Sequence, residues 1–502
     1  MWFRSLRLVR LMATGIMLAL LTAGIMPAQI YARQEEPEGE NAQVPRFEKA
    51  DCRFFTFRLK DRISCGDLIV PENRANPDSR TIKIHVAIIK SDARVKHDDA
   101  IIFLDGGPGG HTLEHIDWFA GSDMLYTGRD VIIFDQRGVG LSQPSLDCQE
   151  IGGTNYFHRS EDLTIAERNK LELEDIQFCH DRLTARNIDL SGYNTTENAE
   201  DVEDLRLVLG YPPWNLFGGS YGTTLGLEIL RNHPEGVRSA ILVSVAPPET
   251  NWIEGIPSSA SRAFGAFFNA CDTDEHCSED HPNLENTFYV LVHILNAHPI
   301  TVTTDGGDIV VHGDAYVNLL FQALYSREET ESVASVISAA IQGNHETAAR
   351  YNKGWFWSSM GFSTGMHYSV ICSDVVKSGS YDELRAAEQD FPEQEEVFDI
   401  GAYADICKIW DIPQAPAAYH QPVVSDIPVL LLVGQLDPIT PPAYAREAAK
   451  TLSHSFLYEL PWLGHTPLDN KCVQSIMHDF VSTPDQEPDT ECIQHIEPLE
   501  FQ

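Results

Sequence analysis

WNLFGGSYGTTL, residues 214–225, spells a strand, a turn and the start of a helix. Trp214-Asn215-Leu216-Phe217 is a short, mostly apolar run of the kind that ends a buried strand. Gly218-Gly219-Ser220-Tyr221-Gly222 follows, a G-x-S-x-G pentapeptide. From Thr223 to Arg231, Leu225, Leu227, Ile229 and Leu230 recur with helical spacing. A serine on a sharp strand-to-helix turn stands exposed at the positive end of the helix, the geometry of a nucleophile elbow. The turn crowds its neighbours, so small residues must flank the serine. A Gly/Ser loop without chemistry could carry the same pentapeptide; the strand before it and the helix after it favour the elbow.

Outward from the elbow, the chain alternates in the same style. Thr81–Lys90, TIKIHVAIIK, alternates apolar and polar positions and pairs with the strand ending at Pro71 in a predicted antiparallel hairpin. Ala100–Leu104 and Val131–Phe134 are continuous apolar runs, as expected of central strands covered on both faces. Each leads into a glycine-rich turn, Asp105-Gly106-Gly107-Pro108-Gly109-Gly110 and Asp135-Gln136-Arg137-Gly138-Val139-Gly140-Leu141-Ser142. Helices are predicted over 164–186 and 196–209, with the acids from Asn198 to Asp204 supplying the start of the second. A strand over Ala240–Val245 follows the elbow helix. Residues 250–425 then carry helical patterns and a single strand-like stretch, Ile300–Val311, before PVLLLV at 428–433 resumes the buried-strand style. A last strand is predicted over Phe456–Leu460, and residues 484–502, rich in acids and proline, read as peripheral. The fold class is α/β: a doubly wound, mostly parallel sheet with an inserted, mainly helical cap over the carboxyl ends of the strands. The expected organisation is a signal peptide over 1–32, a disordered leader over 33–50, core over 51–249, cap over 250–425 and core again over 426–502.

The chain has 502 residues, 43 % hydrophobic and 22 % charged, an ordinary balance for burying a core. Its net charge of -38 repels nucleic acid and anionic lipid, so neither is expected as a partner. Arg4, Arg7 and Arg10 precede the uncharged run Leu11–Met26, with Ala28 and Ala32 beyond, the order of a secretory signal peptide; an uncleaved anchor is the alternative. The chain is therefore expected to be exported, periplasmic or secreted, with no membrane contact after cleavage. Ten cysteines in such a chain favour disulfides over thiol chemistry. No C-x-x-C occurs, so no metal and no cofactor is expected; spacing leaves the connectivity open.

A serine hydroxyl needs a base to take its proton and an acid to orient that base. Downstream of Ser220, the strand ending at Val433 leads to Asp437, and the one ending near Leu460 leads to His465. Both lie on loops past strand ends, in the order Ser, Asp, His. Gly464 is read as leaving room for the imidazole to swing. An aspartate in a turn or one of nineteen histidines means little alone; three such residues at three strand ends read as nucleophile, acid and base. Oxyanion donors are expected from the backbone N–H of Tyr221 and of Gly107.

Together, GGPGG after a strand, DQRGVGLS, YNTTENAEDVEDLR, WNLFGGSYGTTLG, GQLDPITPP and LGHTPL resemble the proline iminopeptidase and tripeptidyl aminopeptidase family of serine peptidases, in its exported branch with a TAP-like C-terminal region. The resemblance runs from about Cys52 to Cys492. It implies an α/β-hydrolase core with a helical cap and cleavage of one or a few residues from a free N-terminus. Ser220, Asp437 and His465 carry over as the triad. It also implies the bridges Cys52–Cys65, Cys148–Cys179, Cys271–Cys277, Cys372–Cys407 and Cys472–Cys492. Asp105 departs from the histidine that iminopeptidases usually place before the glycines. An aminopeptidase must also bind an ammonium group, and Asp374 is the residue expected to meet it, against the plainer reading of a surface acid. Trp355, Phe356 and Trp357 line the pocket or pack the cap. The partners expected are peptides with a free N-terminus; the oligomeric state is open. Two other functions fit the same pattern: an esterase or amidase on small acyl substrates, and a binding protein that keeps the fold without chemistry.

Overall fold

The computed structural model describes residues 44–59, 61–119, 127–151, 157–351, 361–376 and 380–502. The expected signal segment, most of the leader and Trp355, Phe356 and Trp357 lie outside these.

Among the described residues nine strands form one sheet in the order β1-β2-β3-β5-β4-β6-β7-β10-β11. The first three, β1 (Arg46–Ala50), β2 (Ile63–Pro71) and β3 (Thr81–Ile89), are antiparallel, and β3 joins β5 (Asp130–Phe134) antiparallel as well. From β5 onward β4 (Ala100–Leu104), β6 (Trp214–Gly219), β7 (Val237–Val243), β10 (Val429–Gly434) and β11 (Ser455–Leu460) run parallel. Their apolar runs serve both faces by simple alternation. In β10, Val429, Leu431 and Val433 enter one core, while Leu430 and Leu432 enter the other.

The helices that bear on the site are, in chain order, α1 (Ile165–Thr184), α2 (Thr195–Leu209), α3 (Tyr221–Asn232), α4 (Trp252–Thr273), α5 (Leu284–Ala297), α6 (Asp314–Ala323), α7 (Arg327–Ile341), α8 (Thr364–Val370), α9 (Tyr403–Trp410), α10 (Pro442–Ala449) and α11 (Lys471–Ser482). Helices α2, α3 and α10 cover one face of the sheet; Leu113–Phe119 and α11 cover the other. Between β7 and β10, which are neighbours in the sheet, the chain makes α4 to α9 and contributes no strand to the sheet among the described residues. That inserted segment builds its own core around Phe264, Phe267, Phe268 and Phe288, which continues to Tyr221 beside the elbow.

Several elements differ from the expectation. Residues 46–50, assigned to a disordered leader, form the edge strand β1, because Phe47 packs against Gly66 and the sheet core. The stretch 300–311 is not one strand but a hairpin, β8 (Ile300–Thr304) and β9 (Gly307–Val311), which turns at Asp305-Gly306. Helix α2 begins at Thr195 with Asn194 as its cap, whose side chain accepts from the Glu197 N–H. The acids expected to start it instead face two arginines. Asp201 takes a bidentate pair from buried Arg137, and Arg74 reaches Glu197, Asp201 and Asp204. Strand β7 ends at Val243 because Ser244 adopts φ 62°, outside strand geometry. The C-terminal residues are not peripheral. Leu499 is buried, Phe501 packs on Phe267, and Arg327 of α7 donates to the Glu497 and Pro498 carbonyls. All ten cysteines are paired, as Cys52–Cys65, Cys148–Cys179, Cys271–Cys277, Cys372–Cys407 and Cys472–Cys492.

Candidate active site

Ser220 caps α3 with φ 54° and ψ −128°, a backbone that side chains other than glycine rarely adopt. Its N–H donates to the Val243 carbonyl (3.0 Å), and its own carbonyl accepts from the Thr223 N–H and hydroxyl. The flanking glycines answer to close contact. A Cβ on Gly222 would lie 1.9 Å from the Leu104 carbonyl oxygen at the end of β4. The Ser220 side chain is half-buried at the mouth of the elbow.

Asp437 lies on the loop after β10 and is fully buried. His465, after β11, donates from Nδ1 to Asp437 Oδ2 (2.9 Å). The Thr440 hydroxyl donates to the same oxygen (2.8 Å), and the N–H groups of Ile439 and Thr440 donate to Oδ1 (3.0 and 2.8 Å). Burial raises the Asp437 carboxyl, but the imidazole and these donors outweigh it and hold the group below its ordinary range. The structure thus joins Asp437 and His465 by a hydrogen bond. Between Ser220 Oγ and the His465 ring no such bond is made among the described residues, although the two loops touch: the Thr466 methyl lies 3.6 Å from a Cβ placed on Gly219. Catalytic contacts of this kind often close only around substrate.

Four residues here carry no expectation from the sequence. Ser244 accepts the Thr466 N–H at its hydroxyl (2.9 Å) and steadies the Asp437 carboxylate. Thr440 is the second, and its spacing three residues after the acid is the one signal that could have exposed it. Arg262, on α4, donates to the carbonyls of Gln435 and Asp437 (2.6 and 2.5 Å), so the inserted segment grips the acid loop. Tyr325, 38 % exposed, sets its ring 4.7 Å from that of His465. Gly464 has a different reason from the one expected. A Cβ there would lie 1.7 Å from the Leu324 carbonyl, which also accepts the His465 N–H (3.0 Å). The glycine admits the inserted segment's backbone to the imidazole loop.

The glycine-rich turn after β4 lies against the elbow. A Cβ on Gly106 would meet Ser220 Cβ at 3.0 Å. The Gly106 N–H is taken by Asp105 Oδ1 (2.7 Å), and Thr112 donates to the other oxygen (2.9 Å), so Asp105 pins the turn from below. The turn that carries Gly107 is thus held close to the residue that starts the elbow helix. Asp374 is placed at the N-terminus of α2, 3 % exposed, accepting the Thr195 N–H (2.8 Å). Burial pushes its carboxyl up to about 6. Thr195 in turn touches the Tyr221 hydroxyl (3.0 Å), one side chain away from the elbow.

The sequence pattern of the alpha/beta hydrolase fold matches residues 99–471, which include Ser220, Asp437 and His465. The chain belongs to the alpha/beta hydrolase fold family. Among relatives of this hydrolase, YuaR of Escherichia coli strain K12, which carries a hydrolase name, is 24 % identical over 452 residues, 85 % of this chain and 87 % of YuaR. Tripeptidyl aminopeptidase of Streptomyces lividans is 31 % identical over 213 residues, 39 % of this chain and 38 % of that protein. Proline iminopeptidase of Neisseria gonorrhoeae is 28 % identical over 156 residues, 30 % of this chain and 36 % of that protein. The match to these two peptidases therefore spans less than half of each. Among solved structures, proline iminopeptidase of Mycobacterium smegmatis aligns with a TM-score of 0.37 at 16 % identity, covering 84 % of this chain and 98 % of that one.

Among the described residues one group could hold a metal ion, Glu203, His233 and Glu235. It lies at the amino end of β7, opposite the end of the sheet that carries Ser220, and Glu203 is already paired with Arg206.

Proposed function

We propose that this hydrolase is an exported serine aminopeptidase that releases one or a few residues from the free N-terminus of peptides through an acyl-enzyme. The observation that carries the reading is the buried Asp437–His465 hydrogen bond on loops that meet the elbow of Ser220. The carboxylate holds Nδ1 protonated, so Nε2 is free to take the proton of Ser220 Oγ as it attacks the scissile carbonyl. The Gly107 and Tyr221 N–H groups receive the oxyanion, each worth roughly 3 kcal/mol of transition-state stabilisation. His465 then passes its proton to the leaving amine, and water repeats the cycle on the ester.

Asp374 is the carboxylate proposed for the substrate ammonium. It is buried, without an ion-pair partner among the described residues, and a charge-assisted bond to an amine would compensate its desolvation. The names of the peptidase relatives support the substrate class. Export is supported by five disulfides, which belong to oxidising compartments. No helix among the described residues is long and apolar enough to cross a membrane.

A panel of aminoacyl and peptidyl fluorogenic amides beside p-nitrophenyl esters tests the reading. Amide turnover that requires a free amine and disappears in Ser220→Ala is the expected result; fast ester turnover without amide turnover would make the protein an esterase. Asp374→Asn should slow free-amine peptides and spare N-blocked ones. An equal effect on both would remove Asp374 from amine binding.

A further inference from the structure

The turn that carries Gly107 is held from two sides. Asp105 fixes it from the sheet. The other side belongs to the inserted segment. Ser363 N–H donates to the Gly109 carbonyl (2.8 Å), His111 N–H donates to the Gly361 carbonyl (3.0 Å), and Gly110 and Phe362 form an antiparallel bridge. The Phe362 ring lies 3.0 Å from a Cβ placed on Gly107. Gly106 and Gly107 share a peptide plane, and the Gly106 carbonyl accepts the Gly110 N–H (3.3 Å). Whatever fixes residues 108–110 therefore fixes the direction of the Gly107 N–H.

One side chain of the inserted segment reaches this turn from within. His367 on α8, 8 % exposed, places Nδ1 3.2 Å from the Pro108 carbonyl. A carbonyl only accepts, so Nδ1 carries the proton. Burial pushes the imidazole down to about 4, so the ring is neutral and Nε2 is bare. The Tyr403 hydroxyl on α9 donates to that nitrogen (3.1 Å). Tyr403 thus selects the tautomer that His367 needs, and the Cys372–Cys407 bridge ties the chain just past α8 to the middle of α9. The imidazole is enclosed by the rings of Phe362, Tyr368 and Tyr403 and has no ion-pair partner among the described residues.

We propose that His367 is a positioning residue for the oxyanion hole: held by Tyr403, it grips the Pro108 carbonyl and aims the Gly107 N–H at the acyl oxygen. The inference rests on the acyl-transfer reading given above. Its consequence is that the cap-side segment completes the catalytic apparatus as well as covering it.

The test compares His367→Leu, which removes the donor, with His367→Asn, whose amide can place a donor where Nδ1 stood. On a peptidyl amide, His367→Leu should lose about 10- to 100-fold in kcat with KM little changed, the size expected when a catalytic group is misplaced by a fraction of its reach. A peptide aldehyde, whose adduct with Ser220 places an oxyanion in the hole, should weaken by the same factor. A product peptide should bind as before. His367→Asn should recover most of both losses. A folded His367→Leu with unchanged kcat, or one in which aldehyde and product weaken together, would overturn the inference. If that variant does not fold, Tyr403→Phe takes its place; a several-fold loss of kcat at constant KM supports the role and an unchanged kcat overturns it. Ser220→Ala runs beside them. Activity that survives it sinks the acyl-enzyme reading itself, whereas its loss beside an unaffected His367→Leu rejects only the positioning role.

Discussion

Thr440 and Ser244 show how a carboxylate can stay ionised without water. Asp437 is fully buried, yet five donors converge on it, the His465 ring, two backbone N–H groups and two hydroxyls. Replacing Thr440 by valine keeps the shape and deletes one donor to a charged group, a change worth roughly 1.5–3 kcal/mol. Thr440→Val should therefore lower kcat/KM by about tenfold or more, read on whichever acyl substrate the protein turns over best; unchanged kinetics would show that the hydroxyl is idle. At this scale the sequence was informative about some residues and silent about others. Ser220, Asp437 and His465 each follow an apolar strand, and that local grammar is visible in one dimension. Ser244 was hidden because 240–245 reads as uninterrupted strand; only φ 62° turns its hydroxyl toward the acid. Gly464 was visible but misread, since the carbonyl that requires it comes from Leu324, far away in the chain.

Helix α2 and the turn after β5 meet through buried charge. Arg137 is fully buried and spends its guanidinium on Asp201 and on the carbonyls of Glu72 and Gly192. Arg137 of DQRGVGLS and Asp201 of α2 are thus the two halves of one buried ion pair. Removing Arg137 leaves buried Asp201 with Arg74 as its remaining cation, so the loss should fall below the roughly 3–5 kcal/mol of a fully unpaired buried charge. Arg137→Met should show that loss in urea unfolding, and Arg137→Met with Asp201→Leu should regain a large part of it. Helix α8 carries a second prediction, in pH. In the unfolded chain His367 titrates near its ordinary value of 6.5; in the fold burial holds it to about 4. Between these values the unfolded chain binds a proton that the native state refuses, so stability present above 6.5 is lost as the pH falls toward 4, on the order of 3 kcal/mol. Asp135 and Asp374, both pushed up to about 6, act with the opposite sign but are common to both proteins compared. The stability gap between the native protein and His367→Leu should therefore shrink from pH 7 to pH 4.5. A constant gap would mean that the fold leaves the proton affinity of the imidazole as it is in the unfolded chain. None of these pairings is readable from periodicity, which reports which face of a helix is apolar but not which distant charge it meets.

In the whole molecule, the C-terminal residues act as a strap. Beyond the Cys472–Cys492 bridge the chain crosses to the inserted segment, where Leu499 and Phe501 enter its core and the last backbone N–H groups reach Glu331. Burying two such side chains is worth roughly 1.5–3 kcal/mol each. Truncation after Ile496 should lower Tm by several degrees and hasten proteolysis within α4 to α7; a Tm equal to that of the full chain would reduce the strap to decoration. The acidic, proline-containing composition of 484–502 concealed this, because a few apolar anchors do not register in an average. The disulfides carry a last consequence. Each cysteine is joined to the next one along the chain, with loops of 13, 31, 6, 35 and 20 residues and no bridge enclosing another. An oxidant that simply couples thiols in the order they arrive would produce the native set at the first attempt. Oxidative folding of this protein should consequently be insensitive to loss of a disulfide-shuffling catalyst while depending on the oxidant itself, and the yield of active material from oxidising hosts lacking one or the other would measure that difference.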